Sequence, residues 1–197
     1  MYNKPQVILI GSGLGGLSCG AILAKNGYDV LVLEQGKQVG GCLQCFERRG
    51  VRFETGMHFV GSAAPGQTLD RLMRYLEIDT QVELCALDSK AYDVVGFNGQ
   101  RYAFANGREA FVAQLAQQFP HQRKELERYV EIVRSIADAS AIHALRHAPS
   151  DDSLITAYQL RSIDEVIASV ISDPVLQQVL AGILPLYAGE KGKTPFA

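Results

Sequence analysis

The sequence has little excess charge, few cysteines and no long apolar run, and each shortage excludes a class of protein. Its 19 Lys and Arg face 21 Asp and Glu, for a net charge of −2. No basic cluster is interleaved with aromatic residues, so nucleic acid is not an expected partner. No run reaches the ~18 apolar residues that a membrane-spanning helix needs. The sequence therefore predicts a cytoplasmic protein, with peripheral contact to a membrane left open.

The four cysteines are too few and too scattered for a disulfide framework, which indicates a reducing compartment. Cys42 and Cys45 form a C-x-x-C pair, but no second such pair and no paired histidines accompany them. A structural zinc site needs four ligands, so no metal site is expected. With 47% apolar residues, a chain of this length can bury a core and suits one domain or one and a half.

The most informative stretch is 7–41, which has the pattern of a strand, a glycine turn, a helix, a second strand and an acid. The strands are Val7–Ile10 and Val30–Leu33, and the predicted helix runs from Leu14 to Asn26, with Gly27 as its end. Glu34 follows the second strand directly. The turn is a G-x-G-x-x-G formed by Gly11, Gly13 and Gly16.

Each residue type in this stretch meets a physical need of dinucleotide binding. Gly11 permits the tight turn, Gly13 lets backbone N–H groups approach a pyrophosphate, and Gly16 lets the helix lie near the strand. The helix N-terminus favours the anion. Glu34 stands where a carboxylate accepts hydrogen bonds from the adenosine ribose and repels a 2′-phosphate. The alternative is a βαβ unit with an ordinary glycine turn, which does not explain the position of Glu34.

A second glycine pair, Gly40-Gly41, follows Glu34 and Gln35 after a short polar loop. A nicotinamide-binding unit needs nothing particular at this point. A second close approach of backbone suits the extended diphosphate and ribityl chain of FAD. The pair therefore favours FAD over NAD as the cofactor.

Beyond this stretch the pattern changes to short strands, a hairpin and helices. Gly56 is interpreted as a point where backbone passes near a ligand. Asn98-Gly99 predicts a tight hairpin turn. The remaining predicted elements are strand Val51–Glu54, helix Leu69–Leu76, strand Val82–Leu87, hairpin strands Tyr92–Phe97 and Gln100–Phe104, and helices Arg108–Phe119 and His121–Ala139.

The C-terminal third contains a predicted linker and two short apolar helices. Pro149–Asp152 is polar and turn-prone, while Ser162 and Asp173 are predicted helix caps. The apolar helices between Ser153 and Leu186 are interpreted as core, with a lipid-substrate passage or bilayer contact as the alternative. Two parallel strands are too few for a sheet covered on both faces, so the chain is expected to be incomplete.

The stretch from Gly11 to Ser62 resembles the FAD-dependent phytoene desaturase superfamily, and more narrowly its all-trans-retinol saturase and carotenoid isomerase-like branch. The resemblance rests on a G-G-C segment that leads to a strand and a loop, Phe53-Glu54-Thr55-Gly56-Met57-His58. It implies an α/β fold: a Rossmann-like FAD-binding domain of the glutathione reductase type, followed by the start of an α+β substrate domain. The expected division is 1–64 for the first and 65–197 for the second, with a C-terminal FAD-binding segment absent.

The resemblance implies a flavoenzyme that transfers hydride to or from a carbon–carbon double bond of a polyene or isoprenoid, a lipophilic small molecule. It assigns no catalytic residue. The cofactor-binding residues that it implies, together with those read from the motif, are Gly11, Ser12, Gly13, Leu14, Gly15, Gly16, Glu34, Gln35, Gly40, Gly41, Gly56, Met57 and His58.

Three alternatives stay open. Cys42 and Cys45 could serve a flavin-dependent dithiol or disulfide oxidoreductase, although such enzymes space the pair more widely. The chain could also be a non-catalytic dinucleotide-binding remnant. For His58, a half-buried histidine bonded to a backbone carbonyl weighs equally with a flavin-side or acid–base role.

Overall fold

The computed structural model describes residues 6–140, 145 and 152–197. The chain divides into two compact units, one ending at Glu83 and the other beginning at Leu84. The domain boundary expected after residue 64 stays a prediction, and the helix that follows it, Thr68–Tyr75, belongs to the first unit.

The first unit opens with the βαβ arrangement that the sequence predicts. Strand β1 is Val7–Ile10, helix α1 is Leu14–Lys25 and strand β2 is Val30–Leu33. The strands pair in parallel, with Val7 opposite Val30 and Ile10 opposite Leu33. Gly27 takes φ +87° just beyond the helix, the left-handed conformation that ends many helices.

The β1–β2 sheet packs only one face against α1. Gly20 of α1 is buried, and a Cβ atom there would lie 3.2 Å from Leu9 Cδ1 and 3.5 Å from Val32 Cγ2. The absence of a side chain at this position therefore lets the helix approach the strands closely. The opposite face carries the exposed side chains of Ile8, Ile10, Leu31 and Leu33.

The rest of the first unit is a short 3₁₀ turn, Gly41–Leu43, an antiparallel ribbon and a helix. The ribbon joins β3, Cys45–Arg48, to β4, Val51–Glu54. The sequence predicts β4 but not β3. The four residues of β3 are too few to show an alternating apolar pattern. Helix α2, Thr68–Tyr75, follows as predicted.

The stretch Val82–Leu87, which the sequence predicts as a strand, is not a strand in the structure. Val82, Leu84 and Leu87 are all exposed, and within the described part of the chain no strand pairs with them. An apolar run becomes a strand only when a neighbouring strand satisfies its backbone N–H and C=O groups. The apolar composition alone could not supply that partner.

The predicted hairpin is confirmed. Strands β5, Asp93–Phe97, and β6, Gln100–Phe104, pair antiparallel around Asn98 and Gly99. These two residues take φ +51° and +74°, as a type I′ turn requires.

The two predicted helix caps of the second unit, Ser162 and Asp173, are confirmed. Ser162 caps the helix Ile163–Val170 through a capping box with Glu165. The Asp173 carboxylate accepts from the N–H groups of Val175 and Leu176 at 2.8 and 3.0 Å. The helices are α3, Arg108–Ala116; α4, Arg123–Ala139; α5, Asp152–Gln159; α6, Ile163–Val170; and α7, Pro174–Ala181, with 3₁₀ turns at Pro120–Gln122 and Leu184–Tyr187. Of the predicted linker, residues 149–151 lie outside the described residues.

The apolar helices α6 and α7 form core, as interpreted from the sequence. They pack with the hairpin, α3 and α4 around fully buried residues, namely Leu115, Leu126, Ile167, Ile171, Leu176 and Val179. Across the described residues, no helix is both long and apolar enough to cross a membrane.

Candidate functional site: a glycine loop and its acid

Two glycines of the G-x-G-x-x-G are required by the backbone itself. Gly11 takes φ +96°, and its N–H donates to the carbonyl oxygen of Leu33 at 2.7 Å, so the loop leaves β1 bonded to β2. A Cβ atom at Gly16 would lie 2.1 Å from the carbonyl oxygen of Gly11. The turn and the helix therefore approach each other as the motif predicts.

The other glycines of the loop face open space. A Cβ atom at Gly13 or Gly15 would meet no atom within 4 Å. Gly13 is the N-cap of α1 and has no side chain to accept a hydrogen bond, and the first turn carries no acidic residue. The first N–H groups of a helix have no partner within the helix. This loop thus offers hydrogen-bond donors and an uncancelled positive dipole to an anion.

Glu34 is held beside this loop by hydrogen bonds to both of its carboxylate oxygens. Its Oε2 accepts from the N–H of Ser12 at 2.9 Å and from the Ser12 hydroxyl at 2.5 Å, and its Oε1 accepts from the N–H of Gly36 at 2.7 Å. The hydrogen bond from the Ser12 hydroxyl, followed by those from the backbone N–H groups of Gly36, Ser12 and Gln35, lowers the pKa of Glu34 to about 2. The carboxylate is therefore ionised at neutral pH while it remains exposed.

The second glycine pair packs directly on the first loop. The N–H of Gly40 donates to the carbonyl oxygen of Ser12 at 2.8 Å. Gly40 and Gly41 take φ +111° and +57°, and a Cβ atom at Gly41 would lie 3.0 Å from the Cα atom of Gly13. The two glycine segments predicted to hold a cofactor therefore lie side by side.

The loop of Gly56, Met57 and His58 approaches the same region through its first residue. A Cβ atom at Gly56 would lie 2.9 Å from the carbonyl oxygen of Cys42, so the close contact of this glycine is with protein backbone. Met57 is partly buried. His58 is exposed, which does not match the half-buried alternative. Gln35 is exposed in the bend after Glu34.

The C-x-x-C pair is not a disulfide. All four cysteines are free, with Cys42 exposed and Cys45 partly buried. The Cys45 thiol donates to Glu54 Oε2 at 3.1 Å across the β3–β4 ribbon. Within the described residues, no three metal-ligating side chains come together.

The sequence did not reveal the bond between Ser12 and Glu34. Ser12 was predicted to line a pyrophosphate, yet its side chain bonds to the carboxylate and is 1% exposed. A small polar residue between the two glycines of a turn, next to the end of β2, is the signal that could have indicated this contact. Gly36, whose N–H completes the arrangement, carries no such signal.

Comparisons with known proteins agree with this geometry. A family model described as an NAD(P)-binding Rossmann-like domain matches residues 9–76. Two structures of putrescine oxidase superpose with TM-scores of 0.58 and 0.57, over 91% and 92% of this chain and 36% and 37% of theirs, at 18% and 17% identity. That identity supports the fold alone. The first unit therefore contains a Rossmann-like domain.

Proteins related in sequence indicate the superfamily to which the chain belongs. Human all-trans-retinol 13,14-reductase is 32% identical over 98% of this chain and 34% of its own length. The rat enzyme is 31% identical over 99% of this chain and 35% of its own. Carotenoid 3,4-desaturase of Haloarcula japonica is 26% identical over 96% of this chain and 40% of its own length. The chain belongs to the desaturase and retinol saturase superfamily, and it spans about a third of the length of the curated relatives it matches.

Proposed function

We propose that this chain is part of an FAD-dependent oxidoreductase that acts on carbon–carbon double bonds of a polyene or isoprenoid. The observation that carries the proposal is the set of groups converging on the open side of the glycine loop. The names of the relatives, which refer to retinol, carotenoid and phytoene, support a lipophilic substrate.

The residues present fit the adenosine diphosphate half of a dinucleotide. The space in front of Gly11, Gly13 and Gly15, where an added Cβ atom would meet no protein atom, leaves room for phosphate oxygens beside the α1 N-terminus. Glu34, ionised and exposed, accepts a ribose hydroxyl and repels a 2′-phosphate. Ser12 and Leu14 complete this group of proposed cofactor-binding residues.

FAD is proposed over NAD because of the second glycine pair. Gly40 and Gly41 extend the backbone surface beside Gly13, and Gln35 lies between the two glycine segments in sequence. Bound FAD would supply the hydride chemistry at its isoalloxazine ring. The proposed role of the protein residues Gly56, Met57 and His58 is to contact the flavin side of the cofactor.

A binding experiment with one glycine variant tests the proposal. Gly13 has φ −70° and ψ 179°, extended backbone that any residue adopts, so Gly13→Val should fold normally while its side chain enters the open space. We expect the wild-type protein to bind FAD, measured by flavin fluorescence and isothermal titration calorimetry, and Gly13→Val to lose at least about tenfold in affinity.

Gly96→Val is the matched control, because a Cβ atom at this strand glycine also meets no atom within 4 Å but the residue is far along the chain in β5. The affinity of Gly96→Val for FAD should equal that of the wild type. Binding of NAD in preference to FAD, or equal FAD binding by Gly13→Val, would overturn the proposal.

A further inference from the structure

The β3–β4 ribbon is exposed along nearly its whole length. Every residue of β4 is exposed, and in β3 only Cys45 is partly buried. The base of the ribbon is fixed, because the N–H of Thr55 donates to the carbonyl oxygen of Gln44 at 3.2 Å and its hydroxyl donates to that of Cys42 at 3.0 Å. The turn end, Arg48–Val51, is exposed throughout. The ribbon therefore offers a surface to solvent while its base holds it in place.

The strand register places apolar side chains and a cation on one face of the ribbon. Residues directly opposite each other in an antiparallel pair share a face. Phe46 lies opposite Phe53 and Arg48 lies opposite Val51, and the two phenyl rings stack with their centroids 5.2 Å apart. Phe46 is 51%, Phe53 is 43% and Val51 is 54% exposed. This face thus presents two stacked rings and a branched side chain beside a guanidinium.

The opposite face of the ribbon carries its two acids. Glu47 lies opposite Arg52, and Glu54 lies opposite Cys45. Along the sequence these acids stand among the arginines, so no basic and aromatic cluster is evident there. The pairing of β3 with β4 separates them, and the face with the aromatic rings has no acidic side chain.

Two arginines at the turn end have no partner within the part of the chain that the structure describes. Neither Arg48 nor Arg49 forms an ion pair or a side-chain hydrogen bond there. Arg49 and Gly50 take φ +54° and +75°, as the two central residues of a type I′ turn do. Such a turn places Arg49 at the tip of the ribbon. Two unpaired cations therefore lie beside the apolar face.

We propose that the β3–β4 ribbon docks on the surface of a lipid bilayer that contains anionic headgroups. Guanidinium groups bind phosphate and carboxylate oxygens through paired N–H donors, which suits Arg48 and Arg49. Aromatic and apolar side chains next to cations are favoured at the boundary between headgroups and acyl chains, which suits Phe46, Phe53 and Val51. A lipophilic substrate, as proposed above, dissolves in the same phase, but the docking itself requires neither that substrate nor FAD.

Vesicle cosedimentation tests the charges. The protein is mixed with vesicles of phosphatidylcholine alone or of phosphatidylcholine with phosphatidylserine. The wild type should bind the anionic vesicles more tightly. Arg48→Gln with Arg49→Gln should keep the wild-type unfolding midpoint and bind those vesicles about twentyfold more weakly, roughly fivefold per arginine. Lys124→Gln with Arg128→Gln removes two exposed cations from α4 of the second unit and should bind like the wild type.

A fluorescence measurement tests the apolar face separately. The chain contains no tryptophan, so Phe53→Trp introduces a single reporter. Its emission should shift to shorter wavelength when anionic vesicles are added, because the indole leaves water. Tyr28→Trp is the matched control: Tyr28 is 49% exposed and precedes β2, at the end of the β1–β2 sheet opposite the Gly40 loop that leads to β3. Its emission should not change.

Four results would overturn the proposal. The wild type could bind both vesicle types equally or neither, or the ribbon variant could bind like the control variant. An unshifted Phe53→Trp emission in vesicle-bound protein would exclude contact through this face. Displacement of the protein from vesicles by a single-stranded oligonucleotide would assign the ribbon to nucleic acid. Self-association without lipid that Arg48→Gln with Arg49→Gln abolishes would assign it to a second copy of the chain.

Discussion

At the scale of single residues, the site depends on a few groups whose surroundings differ sharply. Glu34 is an exposed carboxylate that accepts hydrogen bonds from Ser12 and Gly36. There is room for a side chain at Gly13 and Gly15, but none at Gly16. Glycines of the same motif are therefore needed for different physical reasons. Gly16 is fixed by the protein backbone, whereas an added Cβ atom at Gly13 would meet no atom within 4 Å.

The pH dependence of stability should carry a contribution from Glu34. Its pKa of about 2 in the folded protein lies below its ordinary value of 4.5, so the ionised carboxylate stabilises the fold above pH 4.5. That contribution is lost as pH falls from 4.5 toward 2. Urea unfolding of the wild type and Glu34→Gln at several pH values checks this. The stability difference between them should shrink on acidification, and Glu83→Gln serves as the control for loss of one carboxylate. A difference that stays constant down to about pH 2 would contradict it.

Alanine substitutions at two neighbouring glycines should have opposite effects on stability. Gly16→Ala places a Cβ atom 2.1 Å from the carbonyl oxygen of Gly11, and backbone cannot yield cheaply, so we expect a loss of about 3 kcal/mol. Gly15→Ala meets no atom within 4 Å in the same helix and should gain up to about 1 kcal/mol. Chemical unfolding without nucleotide measures both. Equal stability of the two variants would show that the loop does not approach the helix as described.

At the scale of elements, short helices are defined by their caps and by one buried face. Helix α7, Pro174–Ala181, has Asp173 as N-cap and proline at its first position, which is favourable because proline lacks the N–H that would be unpaired there. Its residues Leu176, Val179 and Leu180 are buried. Cap and apolar spacing agree, so the sequence was sufficient to predict this helix.

The cap of α7 provides a prediction with a built-in control. Asp173→Ala removes the acceptor for the N–H groups of Val175 and Leu176 and should cost about 1 kcal/mol of unfolding free energy. Asp173→Asn keeps a side-chain oxygen and should cost much less. Thermal and urea unfolding measure the two variants. An equal loss for both would mean that the charge, and not the acceptor, stabilises the helix start.

At the scale of the whole molecule, the two units differ in how well their apolar residues are buried. The second unit has a core around Leu115, Leu126 and Ile167 that is closed to solvent. In the first unit, Ile8 is 55% and Ile10 is 90% exposed, on the face of the β1–β2 sheet opposite α1. A contiguous apolar face of this kind binds apolar partners or dyes.

The exposed face should be measurable in solution. The double variant Ile8→Thr with Ile10→Thr keeps β-branched residues in the strand and should reduce the fluorescence of bound anilinonaphthalene sulfonate, with unfolding free energy changed by less than about 0.5 kcal/mol. Leu9→Thr, on the face that packs against Gly20, should instead cost about 2 kcal/mol. Similar losses for both variants would indicate that the outer face is also packed.

Much of the fold could be predicted from the sequence wherever local chemistry and periodicity agree. The βαβ unit, the Asn98-Gly99 hairpin and the caps at Ser162 and Asp173 were of this kind. Val82–Leu87 was predicted wrongly as a strand, because strand formation depends on a distant pairing partner. Strand β3 was missed for the converse reason, since its pairing with β4 stabilises a segment too short to show its own period.

The sequence by itself determined the dinucleotide motif, because glycine spacing, the helix that follows and an acid at the end of the next strand are local properties of one stretch. Only the tertiary structure decided what each of these residues contacts. It directed the Ser12 hydroxyl to Glu34, packed Gly41 on Gly13 and placed Gly56 against Cys42. These contacts join residues far apart along the chain, and their distances follow from how β1, α1 and β2 pack, which no local pattern encodes.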